Sequence, residues 1–337
     1  MMRKKTLFSW VFLLLTLSLS AQYLPDTLGN GFSKHIFHMA NDYEGEVVST
    51  LIKLTPSHPE SDRAILYVHG FNDYFFQDQM AHKFDSAGFN FYAVDLRKYG
   101  RSLLPFQYPF NVHSLNEYFA DIDSAITMIK KEGNREIVLM GHSTGGLISS
   151  LYAEANRQNL PINALVLNSP FLDMNQSKFK EKVLIPIVSF LGRWFPNMKI
   201  PQGLSTGYAE SLLKEYHGEW SFNTDWKMPV SPPLTAGWIR AIYTGQKEIR
   251  KGLHIPVPVL VLHSDKTVYG DDWTPEFNQG DAVLDVKDIE RYGKTLGPNA
   301  KTVTIPNGLH DLVLSDYAAR SQTYREIFNF LKANNLE

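Results

Sequence analysis

The sequence predicts an α/β protein with a mostly parallel central sheet flanked by helices, and three observations carry that expectation. Short apolar strands alternate with helical stretches between residues 46 and 170 and again after 253. These strands are apolar at consecutive positions, as a sheet covered on both faces requires. One of them, Ile137 to Met140, runs into Gly141-His142-Ser143-Thr144-Gly145 and then into small and aliphatic residues that continue as a helix, Leu147 to Ala155. A serine on a sharp strand-to-helix turn is exposed and open to a base, and glycines are needed where a β-carbon would collide as the chain reverses.

Taken in order, the chain of 337 residues opens with Arg3, Lys4 and Lys5, an apolar run from Leu7 to Leu19, and small residues at Ser18, Ser20 and Ala21. This is the pattern of a signal peptide over residues 1–21, cleaved near 20–22, and the run is short for a membrane span of about 20 residues. The expected product is exported, to a bacterial periplasm or exterior, with no stable membrane span after cleavage. Gln22 to His38 lacks periodicity and reads as an irregular arm. Glu46 to Leu54 is an early strand, and Ala64 to Val68 is a short buried one that runs into His69-Gly70-Phe71-Asn72-Asp73-Tyr74. Gln77 to Ala87 reads as a helix ending at Gly88, Phe89 to Val94 as a strand, and Leu115 to Lys131 as an amphipathic helix stopped by Gly133. After the serine turn, Ala164 to Leu167 forms another strand, closed by Asn168-Ser169-Pro170.

The alternation then breaks. Residues 171–252 hold Lys182 to Phe195, a proline- and tryptophan-rich stretch, and a helix from Ala236 to Ile249. That is too long for a crossover and too aromatic for a solvated linker, so it reads as a mainly helical cap inserted between core segments 22–170 and 253–337. The sheet pattern resumes at Val257 to Leu262, followed by a helix from Val286 to Thr295, a strand from Thr302 to Ile305 and a last helix from Ser315 to Leu331.

The chemistry follows from this order. A base delivered from the loop after the last strand meets a nucleophile at the top of such a sheet, which nominates His310 beside Ser143. Two aspartates compete to orient that histidine: Asp265, directly after a strand, and Asp281, just before the next helix. An oxyanion needs donors, and the backbone N–H groups of Thr144 and Phe71 are the candidates, with Gly70 letting the chain pass close by. His142 reads as packed structure and His69 as a brace for the oxyanion loop.

HGFNDY at 69–74, DLRKYGRS at 95–102, GHSTGG at 141–146 and GLHD at 308–311 together resemble the α/β-hydrolase fold, over roughly residues 45–332. Within that fold the chain is similar to the serine hydrolases that include monoacylglycerol lipases, lysophospholipases and S33-like aminopeptidases. The resemblance implies a nucleophile at Ser143, a histidine at His310, oxyanion donors at Phe71 and Thr144, and a helical cap between the sixth and seventh strands over an acyl pocket. In such enzymes the acid sits in a pattern like L-x-G-x-x-D-x-V-V-D. Here Asp265 falls two residues early and the D-x-V-x-D element appears only at Asp281 to Asp285, which favours Asp281, with residues between them as an insertion.

The expected activity is hydrolysis of carboxylic esters of medium or long acyl chains, of the monoacylglycerol or lysophospholipid kind, on a small-molecule or lipid substrate with transient contact at lipid surfaces. An S33-like aminopeptidase is the alternative, and a non-catalytic binding protein of the same fold a further one. No cofactor and no metal is expected: cysteine is absent, which excludes thiolate ligands, disulfides and a cysteine nucleophile, and His35 and His38 have no compact ligand set around them in sequence. A phosphate-binding glycine loop is missing from the first strand, against dinucleotide chemistry. Without the leader's three basic residues, Lys plus Arg falls from 33 to 30 against 35 Asp plus Glu, so no basic footprint for nucleic acid exists.

Overall fold

A computed structural model describes residues 22–203 and 205–336, so the leader expected over residues 1–21 lies outside the described residues. A nine-stranded sheet runs through the molecule in the order β1-β2-β3-β5-β4-β6-β7-β10-β11. Its strands are β1 (Leu24–Pro25), β2 (Phe32–Asp42), β3 (Gly45–Leu54), β4 (Arg63–Val68), β5 (Asn90–Asp95), β6 (Glu136–His142), β7 (Ala164–Asn168), β10 (Val259–Ser264) and β11 (Ala300–Ile305). From β5 to β11 every pairing is parallel, while β1, β2 and β3 add an antiparallel flank.

The double-sided apolar pattern is explained by two separate cores. Ala64, Leu66 and Val68 of β4, Ile137 and Leu139 of β6, and Val259 and Val261 of β10 face helices α2 (Phe119–Lys131), α3 (Thr144–Ala155) and α7 (Val286–Gly293). The intervening residues Ile65 and Tyr67, Val138 and Met140, and Leu260 and Leu262 face α1 (Asp78–Ser86) and α8 (Tyr317–Ala333). Alternate residues thus bury on opposite sides, and neither face can tolerate a polar period.

One expectation is corrected here. Gln22 to His38 is no irregular arm: it holds β1 and most of β2, and β2 pairs with β3 from Phe32↔Leu54 to Asp42↔Gly45. The strand was unreadable because its side chains are mostly half-buried or exposed on both faces. Backbone bonds to β3 hold it, and they leave no hydrophobic signature. With β2 counted, β7 is the sixth long strand, and the helical insertion follows it. That insertion contains α4 (Ile185–Leu191), a ribbon of β8 (Lys199–Ile200) and β9 (Leu234–Thr235), α5 (Gly207–Leu212) and α6 (Ala236–Ile249). α6 has the span expected, and its Trp238, Ile242 and Ile249 join the core beside α3.

The N-terminal segment is also pinned by charge. Arg101 donates to both Asp26 oxygens at 2.7 Å and to Asp95 at 2.9 Å, all three side chains being almost fully buried. Burial pushes the Asp26 carboxyl up, but the Arg101 bonds and charge, with the Leu28 N–H and Lys34, outweigh it and hold Asp26 below 3.8. A depressed carboxylate contributes stability above its unfolded pKa and loses it as pH falls through the folded value. Asp26→Asn should therefore cost about 2 kcal/mol at neutral pH, and urea unfolding at stepped pH should show that deficit closing only as the pH falls below 3.8. A deficit that is the same at every pH would separate Asp26 from the acid response.

Candidate active site

The C-terminal ends of the parallel strands converge on one point, where such sheets place their functional loops. Ser143 stands between β6 and α3 with φ +51° and ψ −118°. A non-glycine residue is held there at a cost of about 1–3 kcal/mol. The surroundings allow nothing else. A β-carbon on Gly141 would come within 2.6 Å of the Gly145 carbonyl oxygen, and one on Gly145 would collide with the carbonyls of Val68 and His69. Both glycines are therefore dictated by packing, as the turn requires. The Ser143 N–H donates to the Asn168 carbonyl at 3.0 Å, which ties the turn to the end of β7.

From the far end of the chain, the loop after β11 brings in His310. Its Nε2 lies 2.9 Å from Ser143 Oγ and its Nδ1 2.9 Å from Asp281 Oδ2. Asp281 is wholly buried and His310 nearly so. The other Asp281 oxygen accepts the N–H groups of Val283 and Leu284, each at 2.8 Å. Both carboxylate oxygens are thus occupied, and the imidazole must donate from Nδ1 and accept at Nε2.

Asp281 arrives by an excursion. After β10 the chain forms a short parallel bridge, Thr267↔Asp281, held by Asp281 N–H to Lys266 O at 2.9 Å and Val268 N–H to Asp281 O at 2.8 Å. Residues 269–279 loop out between these contacts, with Phe277 buried under Gly207. Asp265 is exposed. Its Oδ1 accepts the Asn307 N–H at 2.8 Å, so it holds the start of the histidine loop and does not meet the imidazole.

The oxyanion loop passes tightly over the nucleophile: a β-carbon on Gly70 would stand 3.1 Å from Ser143 Cβ. Among the described residues, neither the Phe71 nor the Thr144 N–H has a hydrogen-bond partner. His69 accepts the Leu96 N–H at Nε2, 3.1 Å, and so donates from Nδ1 to its neighbour's Gly70 carbonyl at 2.8 Å. It is a brace, as expected. His142 donates to the Asn168 carbonyl at 3.1 Å, and burial first, with His310 and Lys227 adding to it, holds its ring below 6.5 despite the two nearby carboxylates.

Several residues here were not singled out from sequence. Asp73 and Asp311 are two of them, and with His142 they bring one ligand-type atom each within 4.8 Å of one another, all buried. Lys227 of the insertion pairs with Asp73 at 2.9 Å, while Gln77 and Asn168 donate to the two oxygens of Asp311 at 3.1 and 2.6 Å. Tyr208 on α5 sets its ring edge-on to His310, centroids 5.6 Å apart, and accepts the Asp311 N–H at 3.2 Å. Burial foremost, and then Asp311, push its phenol well above 10. Asn72 and Asp73 lie within HGFNDY and Asp311 within GLHD, so position beside a motif was the available signal; Lys227 and Tyr208 had none. His35 and His38 sit on β2, bonded to the Gln22 carbonyl and Glu46.

Comparison with known proteins bears on the family and the fold. A family model described as Hydrolase_4, serine aminopeptidase S33, matches residues 59–315. A monoacylglycerol lipase of Mycolicibacterium smegmatis is 24% identical over 213 residues, 62% of this chain and 72% of that protein. Among solved structures, the monoacylglycerol lipase of Paleococcus ferrophilus superposes with a TM-score of 0.62 at 20% identity, covering 84% of this chain and 98% of the other. A soluble variant of the monoglyceride lipase of Saccharomyces cerevisiae, in complex with a substrate analogue, gives 0.63 at 17% identity, covering 89% and 96%. The two superpositions speak to the fold.

Proposed function

Since the chain belongs to the serine aminopeptidase S33 family and is a serine hydrolase of the α/β-hydrolase fold, we propose that it cleaves carboxylic esters of medium or long acyl chains, of the monoacylglycerol or lysophospholipid kind. In this reading Ser143 attacks the ester carbonyl while His310 takes its proton, and Asp281 holds the imidazole and stabilises the imidazolium. The N–H groups of Phe71 and Thr144 receive the oxyanion. His310 returns the proton to the leaving alcohol, and water then repeats the cycle on the acyl-enzyme. Neither a metal nor a cofactor enters these steps.

The observation that carries the substrate class is the outer face of the cap. Phe179, Val183, Ile187, Phe190 and Trp194 recur every three or four residues, and each is more than a third exposed, Phe190 at 64% and Trp194 at 65%. This face turns outward, away from the side of α4 that packs on α6. A solvent-facing stripe of this size favours an acyl chain or a lipid surface over a charged peptide. The exposed Lys178, Lys182 and Arg193 flank it, and suit an aggregate with anionic headgroups. A peptidase would need a carboxylate for the substrate amine, yet the carboxylates beside His142 are committed, Asp73 to Lys227 and Asp311 to Gln77 and Asn168. The leader expected over residues 1–21 supports, in this reading, an activity outside the cytoplasm of a bacterium.

A panel of p-nitrophenyl esters, monoacylglycerols, lysophospholipids and aminoacyl-naphthylamides tests the proposal. Turnover should rise with acyl length, and preferential cleavage of aminoacyl-naphthylamides would replace it with the peptidase reading. Phe190→Gln and Trp194→Gln should each lower kcat/KM on long-chain esters about tenfold, the loss of one apolar contact of about 1.5 kcal/mol, and leave acetate esters within twofold. Equal losses on both substrates would make the stripe a packing element.

A further inference from the structure

The insertion touches the oxyanion loop at two adjacent residues. Asn72 donates to the Met228 carbonyl at 2.7 Å and accepts the Met228 N–H at 3.0 Å, and Lys227 donates to Asp73 at 2.9 Å with both side chains buried. These bonds join residues 154 and 156 apart in sequence. They fall directly after Phe71, whose N–H has no partner among the described residues. The Phe71 ring packs 4.7 Å from Trp238, so the other side of the loop also rests on the insertion.

The charges have a second consequence. Asp73 faces His142 within the buried group that includes Asp311, and the His142 ring centroid is 4.9 Å from that of His310. Facing His310 are Asp281, Ser143, Tyr208 and His142, and behind His142 stand Asp73, Asp311 and Lys227. Lys227 supplies the cation for Asp73, while Asp311 is held by the neutral amides of Gln77 and Asn168.

We propose that Lys227 is a positioning residue: by pairing with Asp73 it fixes the loop that presents the Phe71 N–H to the oxyanion, and it screens the Asp73 charge from the histidine pair. The cap is then part of the catalytic framework as well as a cover. This rests on the reading of Ser143 as nucleophile, and a probe that needs no ester substrate separates the two.

The experiment measures the rate of fluorophosphonate labelling at Ser143 against pH, in the parent, Lys227→Arg, Lys227→Met and Lys227→Met/Asp73→Asn, each checked for folding by its melting temperature. Lys227→Met should label at least tenfold more slowly. Its acid limb should move up by about half a pH unit, because an unpaired carboxylate favours the protonated imidazole. The double variant should return the acid limb to the parent's pH while labelling stays slow, and Lys227→Arg should remain within about threefold of the parent. If Lys227→Met does not fold, the double variant and Lys227→Arg carry the test through their rates. Parent-like labelling in folded Lys227→Met or in the folded double variant would overturn the proposal, as would slow labelling with an unmoved acid limb in Lys227→Met. A parent that labels while cleaving no ester leaves the proposal standing and removes only the substrate assignment; a parent unlabelled at Ser143 removes both.

Discussion

Ser143→Ala should lower kcat by about 10⁶, the scale of losing the nucleophile in a serine hydrolase, and should abolish fluorophosphonate labelling without unfolding the protein. Only one oxygen is lost. The glycine contacts that shape the turn, the Ser143 N–H bond to Asn168 and the Phe171 N–H bond to the Ser143 carbonyl all survive. The melting temperature should accordingly stay within a few degrees of the parent's. Mass spectrometry of the labelled parent should place the adduct on Ser143. An adduct elsewhere, or full turnover in the alanine variant, would sink the mechanism.

Asp281→Asn should lower kcat by about 10⁴, the loss seen when the aspartate of a serine-protease triad becomes asparagine, while Asp265→Asn stays within tenfold. The cause is the tautomer. An amide N–H facing His310 Nδ1 makes that nitrogen an acceptor, which moves the ring proton to Nε2 and leaves nothing to accept from Ser143 Oγ. Asp281 also gathers the Val283 and Leu284 N–H groups, which the retained amide oxygen can still serve. Asp265 instead accepts the Asn307 N–H, an interaction an asparagine oxygen keeps. Measuring kcat for both folded variants on one ester decides the matter, and a collapse at Asp265 with near-normal turnover at Asp281 would reverse the assignment.

The excursion of the chain between Asp265 and Asp281 explains why the acid was hard to choose. Local sequence pairs Asp265 with the end of a strand and Asp281 with the start of a helix, and nothing in a short window says whether the chain between them returns. The structure brings it back through the Thr267↔Asp281 bridge, with Phe277 buried and Trp273 stacked on His217 at 3.4 Å. A loop contact between residues far apart in sequence carries no periodicity, and so escapes a reading built on periodicity.

What the sequence determined by itself is whatever is encoded in neighbouring residues. Strands buried on both faces show as continuous apolar runs, the serine turn shows as glycines whose β-carbons would strike backbone, and a histidine after the last strand shows as a loop residue between two regular elements. The parallel sheet, Ser143 and His310 were legible on that basis. Tertiary structure decided the rest: that β2 pairs along an edge with little burial, that Asp281 and not Asp265 meets the imidazole, and that Lys227, Met228 and Tyr208 of the cap reach Asp73, Asn72 and Asp311. Each of these depends on pairing backbone or charge across long stretches of chain, where the stabilising partner becomes visible only once the fold has brought it within about 3 Å.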